Sequence, residues 1–403
     1  MSDSRVKILY CENNVDGTIG GSYYSLLYLV QGLDRRAYEP IVLFKRDHRL
    51  MSRFREQDTE VILWPPGRPF SFARRAPGRL LPRVLAPVQS VANLMVGLLI
   101  PALVRAWFLR RRRIQIVHLN NSILANHEWM MAARLARVTC VTHERGINTR
   151  YARSARFFGR RLDAVICISE AVRRTLLEGA GPFDNLVVVP NGLDPAAMHA
   201  TRSRAAVRAH YGLDDAVPVV CMMGNIRKWK GQDTVIRAVH EARDAFPDLR
   251  LLLVGETSAA DGDYEQQLKA LVADLGLGER VVFAGYQSNV ADFLEACDVV
   301  VHASVLPEPF GRVVLDAMAC RKPVVAAHGG AIPEIVVEGE TGLTFPPGDA
   351  SALAAQLARV LGDRGLAERM GQLGYERLMQ HFHIDRNVEA TERLYRRLLG
   401  AAV

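Results

Sequence analysis

The chain alternates short apolar runs with longer stretches whose apolar residues recur every three or four positions. In its first half VKILYCEN, PIVLFK, VILWP, IQIVHLN, VTCVTHE, DAVICIS and NLVVVPN are nearly continuous apolar runs, the pattern of strands covered on both faces. Stretches with helical spacing, such as SYYSLLYLVQGL and NHEWMMAARLAR, lie between them. The second half repeats the alternation, with PVVCMMGN, RLLLVG, VVFAG, VVVHAS, PVVAA and LTF as strands and QDTVIRAVHEARDAF, DYEQQLKALVADLG, NVADFLEACD and RVVLDAMAC as helices. This order predicts an α/β fold of two tandem doubly wound, Rossmann-like domains. A length of 403 residues, too great for one core, agrees. The expected boundary is near NGLDPAAMHA, giving a first domain over 1–195 and a second over 196–380. Residues 381–403 end in the amphipathic RNVEATERLYRRLLGAAV, expected to cross back to the first domain. Ligands of such sheets bind beyond the carboxyl ends of the strands, so the cleft between two facing sheets is the expected site.

Composition changes little in this picture: 49% of residues are hydrophobic and 23% charged, as in an ordinary soluble globular protein. MSDSRVKILYCEN is read as running straight into a strand, with no secretory leader. The six cysteines are scattered singly, without a CxxC or a Cys/His cluster, and are expected to be buried thiols of a reducing cytoplasm rather than disulfides or metal ligands. Charge matters more. Residues 1–185 carry a net +14 and the remainder −6, so the first half is suited to an anionic partner.

Three stretches carry candidate chemistry. In EPFGRVVLD, Glu308 precedes a turn at Pro309 and Gly311, a helix starts near Arg312, and Asp316 lies one turn inside it. A helix start offers unpaired N–H groups and partial positive charge to a phosphate. Acids before and after it can grip the hydroxyls on either side of a ribose–diphosphate–sugar chain. A loop acid and a solvated helix acid with no shared task is the alternative. In GTIGGSYYSLLYL, Gly20 and Gly21 open a helix after the first strand, as a ligand approach or as a plain turn. In GNIRKWKGQD, Arg227, Lys228 and Lys230 crowd the end of a strand, where they either neutralise a departing diphosphate or form a solvated basic turn.

These stretches occur in order with SEAV, VVPNGLD, ADLGLGERVVFAGY, DVVVHAS and GGAIPEIV. Together they resemble the family-4 retaining glycosyltransferases of GT-B fold, most strongly over 165–350. EPFGRVVLD looks like that family's E-x7-E signature and Lys230-Gly231 like its phosphate lysine. The resemblance implies transfer of a sugar from a nucleotide-diphosphate donor, a UDP- or GDP-sugar, with retention, without cofactor or metal. It implies that Glu308 meets the donor sugar and Asp316 the ribose. It further implies that backbone N–H groups at Phe310, Gly311, Arg312 and Val313 line sugar and phosphate, that Gly20 and Gly21 approach the phosphate, and that Gly285 and Tyr286 meet the base. Three departures stand out. The second signature acid is Asp316, one methylene shorter than Glu. The family's phosphate arginine falls on Asn225, leaving Arg227 or Lys228 to supply charge. The HxH of the family reads His118 then Asn120, so His143, in VTHERG, is the alternative functional histidine, with Glu144 and Arg145 beside it on the acceptor side. Glu308, Lys230 and His143 are the candidate catalytic residues.

Residues 61–127 contain no Asp or Glu, and 61–113 hold ten arginines, ending in RRRR. The uncharged run 84–104 is long enough to span a bilayer. A crossing would put VKILYCEN and IQIVHLN, strands of one sheet, on opposite sides. A shallow amphipathic helix within about 68–113, its arginines on anionic headgroups, is the expectation. The alternative is an apolar helix packed on the sheet. The implied enzyme is peripheral on the cytoplasmic face of the inner membrane, acting on a lipid-linked or saccharide acceptor in envelope, capsule or exopolysaccharide assembly. Competing readings are a non-hydrolysing sugar-nucleotide epimerase and a non-catalytic nucleic-acid-binding protein; against the latter, the arginines lack interleaved aromatics.

Overall fold

In the computed structural model, residues 5–13, 20–65, 92–257 and 261–400 are described. Residues 68–91 of the expected membrane-docking segment and 17–19 of the first glycine stretch lie outside them. The chain forms two compact units. One comprises Met1–Ile168, Val172–Val189 and Val388–Val403, the other Ser169–Ala171 and Pro190–Asn387.

Among the described residues, the first unit is built on seven parallel strands: β1 (Val6–Glu12), β2 (Tyr38–Phe44), β3 (Glu60–Leu63), β4 (Ile116–Leu119), β5 (Thr139–Glu144), β6 (Ala164–Cys167) and β7 (Leu186–Val188). Their order is β3-β2-β1-β4-β5-β6-β7. The order reverses between β1 and β4, in register Ile8↔Ile116 to Cys11↔Leu119. The connecting helices are α1 (Gly21–Gly32), α2 (Met51–Arg55), α3 (Ala92–Arg112), α4 (His127–Ala136), α5 (Arg153–Gly159) and α6 (Glu170–Ala180). The apolar runs become strands because helices on both faces bury them: Ile8, Leu9, Val42, Ile116, Val117, Val141, Val165 and Ile166 lose nearly all contact with water.

Among the described residues, the second unit holds six parallel strands: β8 (Val219–Met223), β9 (Arg250–Val254), β10 (Val281–Gly285), β11 (Val299–His302), β12 (Val324–Ala327) and β13 (Leu343–Phe345). Their order is β10-β9-β8-β11-β12-β13, so the reversal lies between β8 and β11. The helices are α7 (Arg204–His210), α8 (Gln232–Glu241), α9 (Gly262–Asp274), α10 (Ala291–Ala296), α11 (Arg312–Ala319), α12 (Ile332–Ile335), α13 (Ala350–Gly362) and α14 (Arg364–Arg377). Ser203, Asp349 and Asp363 cap α7, α13 and α14, each accepting from a first-turn amide. A last helix, α15 (Ile384–Leu398), joins the first unit from Val388 onward.

Candidate functional site

In the second unit, the loops that leave β8 and β11 meet where the strand order reverses, the position from which a doubly wound sheet presents its ligand. Lys230 ends a 3-10 turn, Lys228–Lys230, after β8. The Val305 amide donates to the Trp229 carbonyl over 2.8 Å, pinning that turn to the segment after β11. Gly231 follows at φ 76°; a Cβ there would lie 2.2 Å from the Ala303 carbonyl oxygen, so only glycine lets the two backbones approach this closely. Gly330, at φ 59°, serves the other side, where a Cβ would lie 2.1 Å from the Glu308 carbonyl oxygen. The Ala331 amide donates to that oxygen over 2.9 Å.

The result is a dense constellation on one carboxylate. Glu308 Oε2 accepts from Lys230 Nζ at 2.7 Å and Ser304 Oγ at 2.8 Å, and His302 Nε2 lies 3.2 Å away. Burial pushes this carboxyl up, but the Lys230 ammonium and the His302 hydrogen bond outweigh burial and hold it well below the usual carboxylate range. Lys230 Nζ also stands 4.1 Å from the centre of the Trp229 ring. Asp316, inside α11, is buried, and its Oδ1 accepts no hydrogen bond among the described residues. Its nearest cation is Arg312 Nε at 3.8 Å. Burial raises this carboxyl, and Arg312 opposes the rise only in part.

The remaining expected donor residues are spread about this centre. Phe310 buries its ring against Phe382, leaving Gly311, Arg312 and Val313 at the start of α11. Gln232 Nε2 donates to the Asn225 carbonyl over 3.1 Å, and Arg227 is drawn toward Asp261 at 3.6 Å. Gly285 ends the edge strand β10 at φ 65° with Tyr286 next to it, beyond β9. Among the described residues the expected donor side chains pair as Lys230 with Glu308 and Arg312 with Asp316.

In the first unit the carboxyl ends of β1, β4 and β5 carry two polar layers. In the outer layer, Asn120 and Asn121 each donate to Glu12 over 2.6 Å. Arg145 Nη2 donates to Asn120 Oδ1 over 2.8 Å. Asn120 also donates to the Ser22 carbonyl in the first turn of α1, just after Gly20 and Gly21. In the inner layer, His118 Nε2 lies 2.6 Å from His143 Nδ1, and His118 Nδ1 bonds the Tyr395 hydroxyl. Tyr395, from α15, is 3.1 Å from the Tyr10 hydroxyl. Burial, with Arg145 adding to it, lowers His118 to about 3 and drives His143 down as well, so both imidazoles are neutral. His143 is only 1% exposed, and its Nε2 has no partner among the described residues. Glu144 faces a separate cluster of Ser122, the Ile123 amide and Asn148, and burial lifts it to about 7 against those three donors.

Reading the sequence missed His302 and Ser304. Both stand in DVVVHAS, two apart and so on one side of the strand end, but a single His in an apolar run looks like core. Glu12 and Tyr395 were missed too, because their partners are more than a hundred residues away.

A family model described as "Glycosyl transferases group 1" matches residues 203–377, and one described as "Glycosyltransferase Family 4" matches residues 19–197. The lipopolysaccharide core biosynthesis mannosyltransferase LpsB of Rhizobium meliloti is 30% identical over 247 residues, covering 61% of this chain and 68% of that one. A GDP-mannose-dependent α-(1-6)-phosphatidylinositol monomannoside mannosyltransferase of Mycolicibacterium smegmatis is 34% identical over 235 residues, covering 55% of this chain. This chain spans 59% of that mannosyltransferase's length. Among solved structures, Anabaena Alr3699/HepE in complex with UDP and glucose superposes with a TM-score of 0.79 at 24% identity, covering 97% of this chain and 99% of that one.

Proposed function

The chain belongs to glycosyltransferase family 4, the group 1 glycosyl transferases with the GT-B fold, and we propose that it moves a sugar from a nucleotide-diphosphate donor to a lipid-linked or saccharide acceptor, with retention of anomeric configuration and without a metal. The observation that carries this reading is the Lys230–Glu308–Ser304 constellation at the strand-order reversal of the second unit. In the donor-free protein the ammonium and the carboxylate neutralise each other. When the donor arrives they exchange partners: Lys230 turns to the diphosphate and Glu308 to the sugar hydroxyls. The start of α11 adds its N–H groups to the phosphates. Asp316 takes the ribose hydroxyls with Oδ1, which accepts no hydrogen bond among the described residues.

In the transfer step the bond between the anomeric carbon and the phosphate oxygen breaks through an oxocarbenium-like state. The electron pair stays on the diphosphate, whose growing charge meets Lys230 and the helix start. The acceptor oxygen bonds the anomeric carbon on the face the phosphate leaves, and its proton passes to the departing phosphate. No carboxylate base is required, which suits a Glu308 held far from the neutral range. Either a UDP- or a GDP-sugar fits this chemistry. An acceptor carrying a lipid, in envelope or polysaccharide assembly at the cytoplasmic face of the inner membrane, is the reading that the names of the two mannosyltransferases support.

The test is a thermal-shift panel of UDP, GDP, ADP, TDP and their sugar conjugates on wild type and Glu308→Ala. A nucleotide sugar at about 100 times its Kd adds ~2.7 kcal/mol of stability. The expected result is a shift with one nucleotide, extended by one sugar and lost in the variant for the sugar part only, together with a transfer rate lower by about a hundredfold. Transfer within about twofold of wild type would remove Glu308 from the site. Turnover of the donor with no acceptor present would point to an epimerase instead.

A further inference from the structure

The flank of the first sheet that carries α3, α4 and α5 is apolar on its outer side. Among the described residues, fourteen large apolar side chains are exposed, and ten of them lie between Leu94 and Phe157. On α3 they recur as Val96, Ile100, Leu103, Val104 and Trp107, a single helical stripe, with Leu103 60% and Trp107 62% exposed. The opposite stripe, Ala102, Ala106 and Leu109, is the one that packs inward. Arg105 anchors that side between the Trp64 and Trp129 rings, 5.3 and 5.1 Å from their centres. The helix is thus turned with its bulkier apolar residues to the outside.

Two helices away, α5 carries the reverse chemistry. Residues 145–162 contain six arginines and no Asp or Glu. Arg153, Arg156, Arg160 and Arg161, with Phe157, line a cavity of about 370 Å³. Arg153, Arg156 and Arg160 recur at helical spacing, and among the described residues none of the four meets a carboxylate. Two are held in place by the protein itself. Arg161 Nη1 donates to the Phe157 carbonyl over 2.9 Å with its guanidinium 3.7 Å from the centre of that ring. Arg160 Nη2 donates to the Ala180 carbonyl over 3.3 Å. The two features belong to one layer. Arg110, in the last turn of α3, donates to the Leu135 carbonyl of α4, and His127 of α4 stacks on Phe158 of α5 at 4.9 Å.

We propose that this flank docks on an anionic membrane surface, the α3 stripe entering the boundary of the acyl chains and the arginine cup on α5 holding lipid phosphates. This deepens the reading of a membrane-borne acceptor and rests on it. A bilayer surface offers an apolar layer and a phosphate layer side by side, which is the pairing this flank presents. A nucleic acid supplies the phosphates but has nothing to cover the α3 stripe. The helix does not cross the bilayer, because β3 before it and β4 after it belong to one sheet.

The experiment is flotation of the full chain with vesicles of equal parts phosphatidylcholine and phosphatidylglycerol, against vesicles of phosphatidylcholine alone. Wild type is expected to float with the anionic vesicles only. The double variant Arg156→Ala/Arg160→Ala is expected to lower that partition by about thirtyfold, two surface charges being removed. Leu103→Ser/Trp107→Ser should lower it with the cup intact. An unchanged partition in the arginine variant overturns the cup, and RNA retained in preference to anionic vesicles overturns the membrane. Inorganic phosphate that stabilises wild type but not the arginine variant, with no vesicle binding by either, would make the cup a free-anion site and also overturn docking. Nucleotide-sugar stabilisation, measured on wild type, separates the two readings: its absence in a protein that floats sinks the transferase and leaves the flank standing.

Discussion

Four side chains in the first unit settle where their protons sit by counting them. Tyr10 is buried, and among the described residues its hydroxyl has one partner, Tyr395. If Tyr10 donates to Tyr395, then Tyr395 donates to His118 Nδ1, and His118 Nε2–H donates to His143 Nδ1. Every proton along the row but the last is then used, and the one left over is the His143 Nε2–H, unpartnered among the described residues. The opposite direction leaves two groups unpaired in the core, the Tyr10 proton and the His143 Nε2 lone pair, and the additional one costs about 1–3 kcal/mol. Nitrogen-resolved NMR of histidine-labelled protein should therefore find both rings neutral and protonated on Nε2, and Tyr395→Phe should release His118 into a mixture of tautomers. A His118 protonated on Nδ1 in wild type would reverse the row and turn the free Nε2 of His143 from a donor into an acceptor. In the second unit, Asp316→Ala is expected to weaken nucleotide binding about tenfold, by loss of a charge-assisted hydrogen bond, and to leave binding of a ribose-free diphosphate unchanged. Calorimetric titration with each compound decides it. Reading the sequence singled out Asp316 because it sits one turn into a helix behind a Pro-Phe-Gly stretch. It did not find the proton row, because Tyr10, His118, His143 and Tyr395 are joined only by the fold.

At the scale of elements, the two glycines beside the Lys230–Glu308 pair carry a measurable cost. Gly231→Ala and Gly330→Ala each place a Cβ near 2 Å from a carbonyl oxygen at positive φ, so each should destabilise the second unit by about 1–3 kcal/mol or more. Chemical denaturation would show it; a loss under half of that would mean the loops move aside freely. Strand β5 carries a pH dependence with a defined sign. Glu144 is lifted to about 7 in the fold, so between its ordinary value near 4.5 and about 7 the folded chain holds a proton that the unfolded chain has released. That contribution to stability is complete below 4.5 and is lost as pH rises through 7, by roughly 3 kcal/mol. The neutral histidines act in the opposite sense as pH falls below 6.5. The informative quantity is therefore the difference in unfolding free energy between wild type and Glu144→Gln, which should shift steadily against wild type across that window. Strands were legible in the chain because parallel strands are continuous apolar runs. Helices as short as α2 and α5 were not, since five to seven residues give too few turns for a period to register.

At the scale of the molecule, the two units invite separate treatment. Scanning calorimetry should show a nucleotide sugar raising the transition that involves the second unit, by an amount set by its concentration over Kd, while the transition of the first stays put. If both rose equally, the units would unfold as one. The charge asymmetry was readable from the sequence, and so was the arginine-rich run before β4. What the sequence did not show is the orientation of α3, since a helix apolar on both sides gives no sign of which side packs. The structure turns its small residues inward, and this has a practical outcome. The forces that fold the helix and those that make it sticky reside on opposite stripes. In lipid-free buffer the protein should self-associate and mild detergent should disperse it. Polar replacements at Ile100, Leu103 and Trp107 should give a well-behaved, concentrated sample with its melting temperature unaltered, because Ala102, Ala106 and Leu109 still seat the helix.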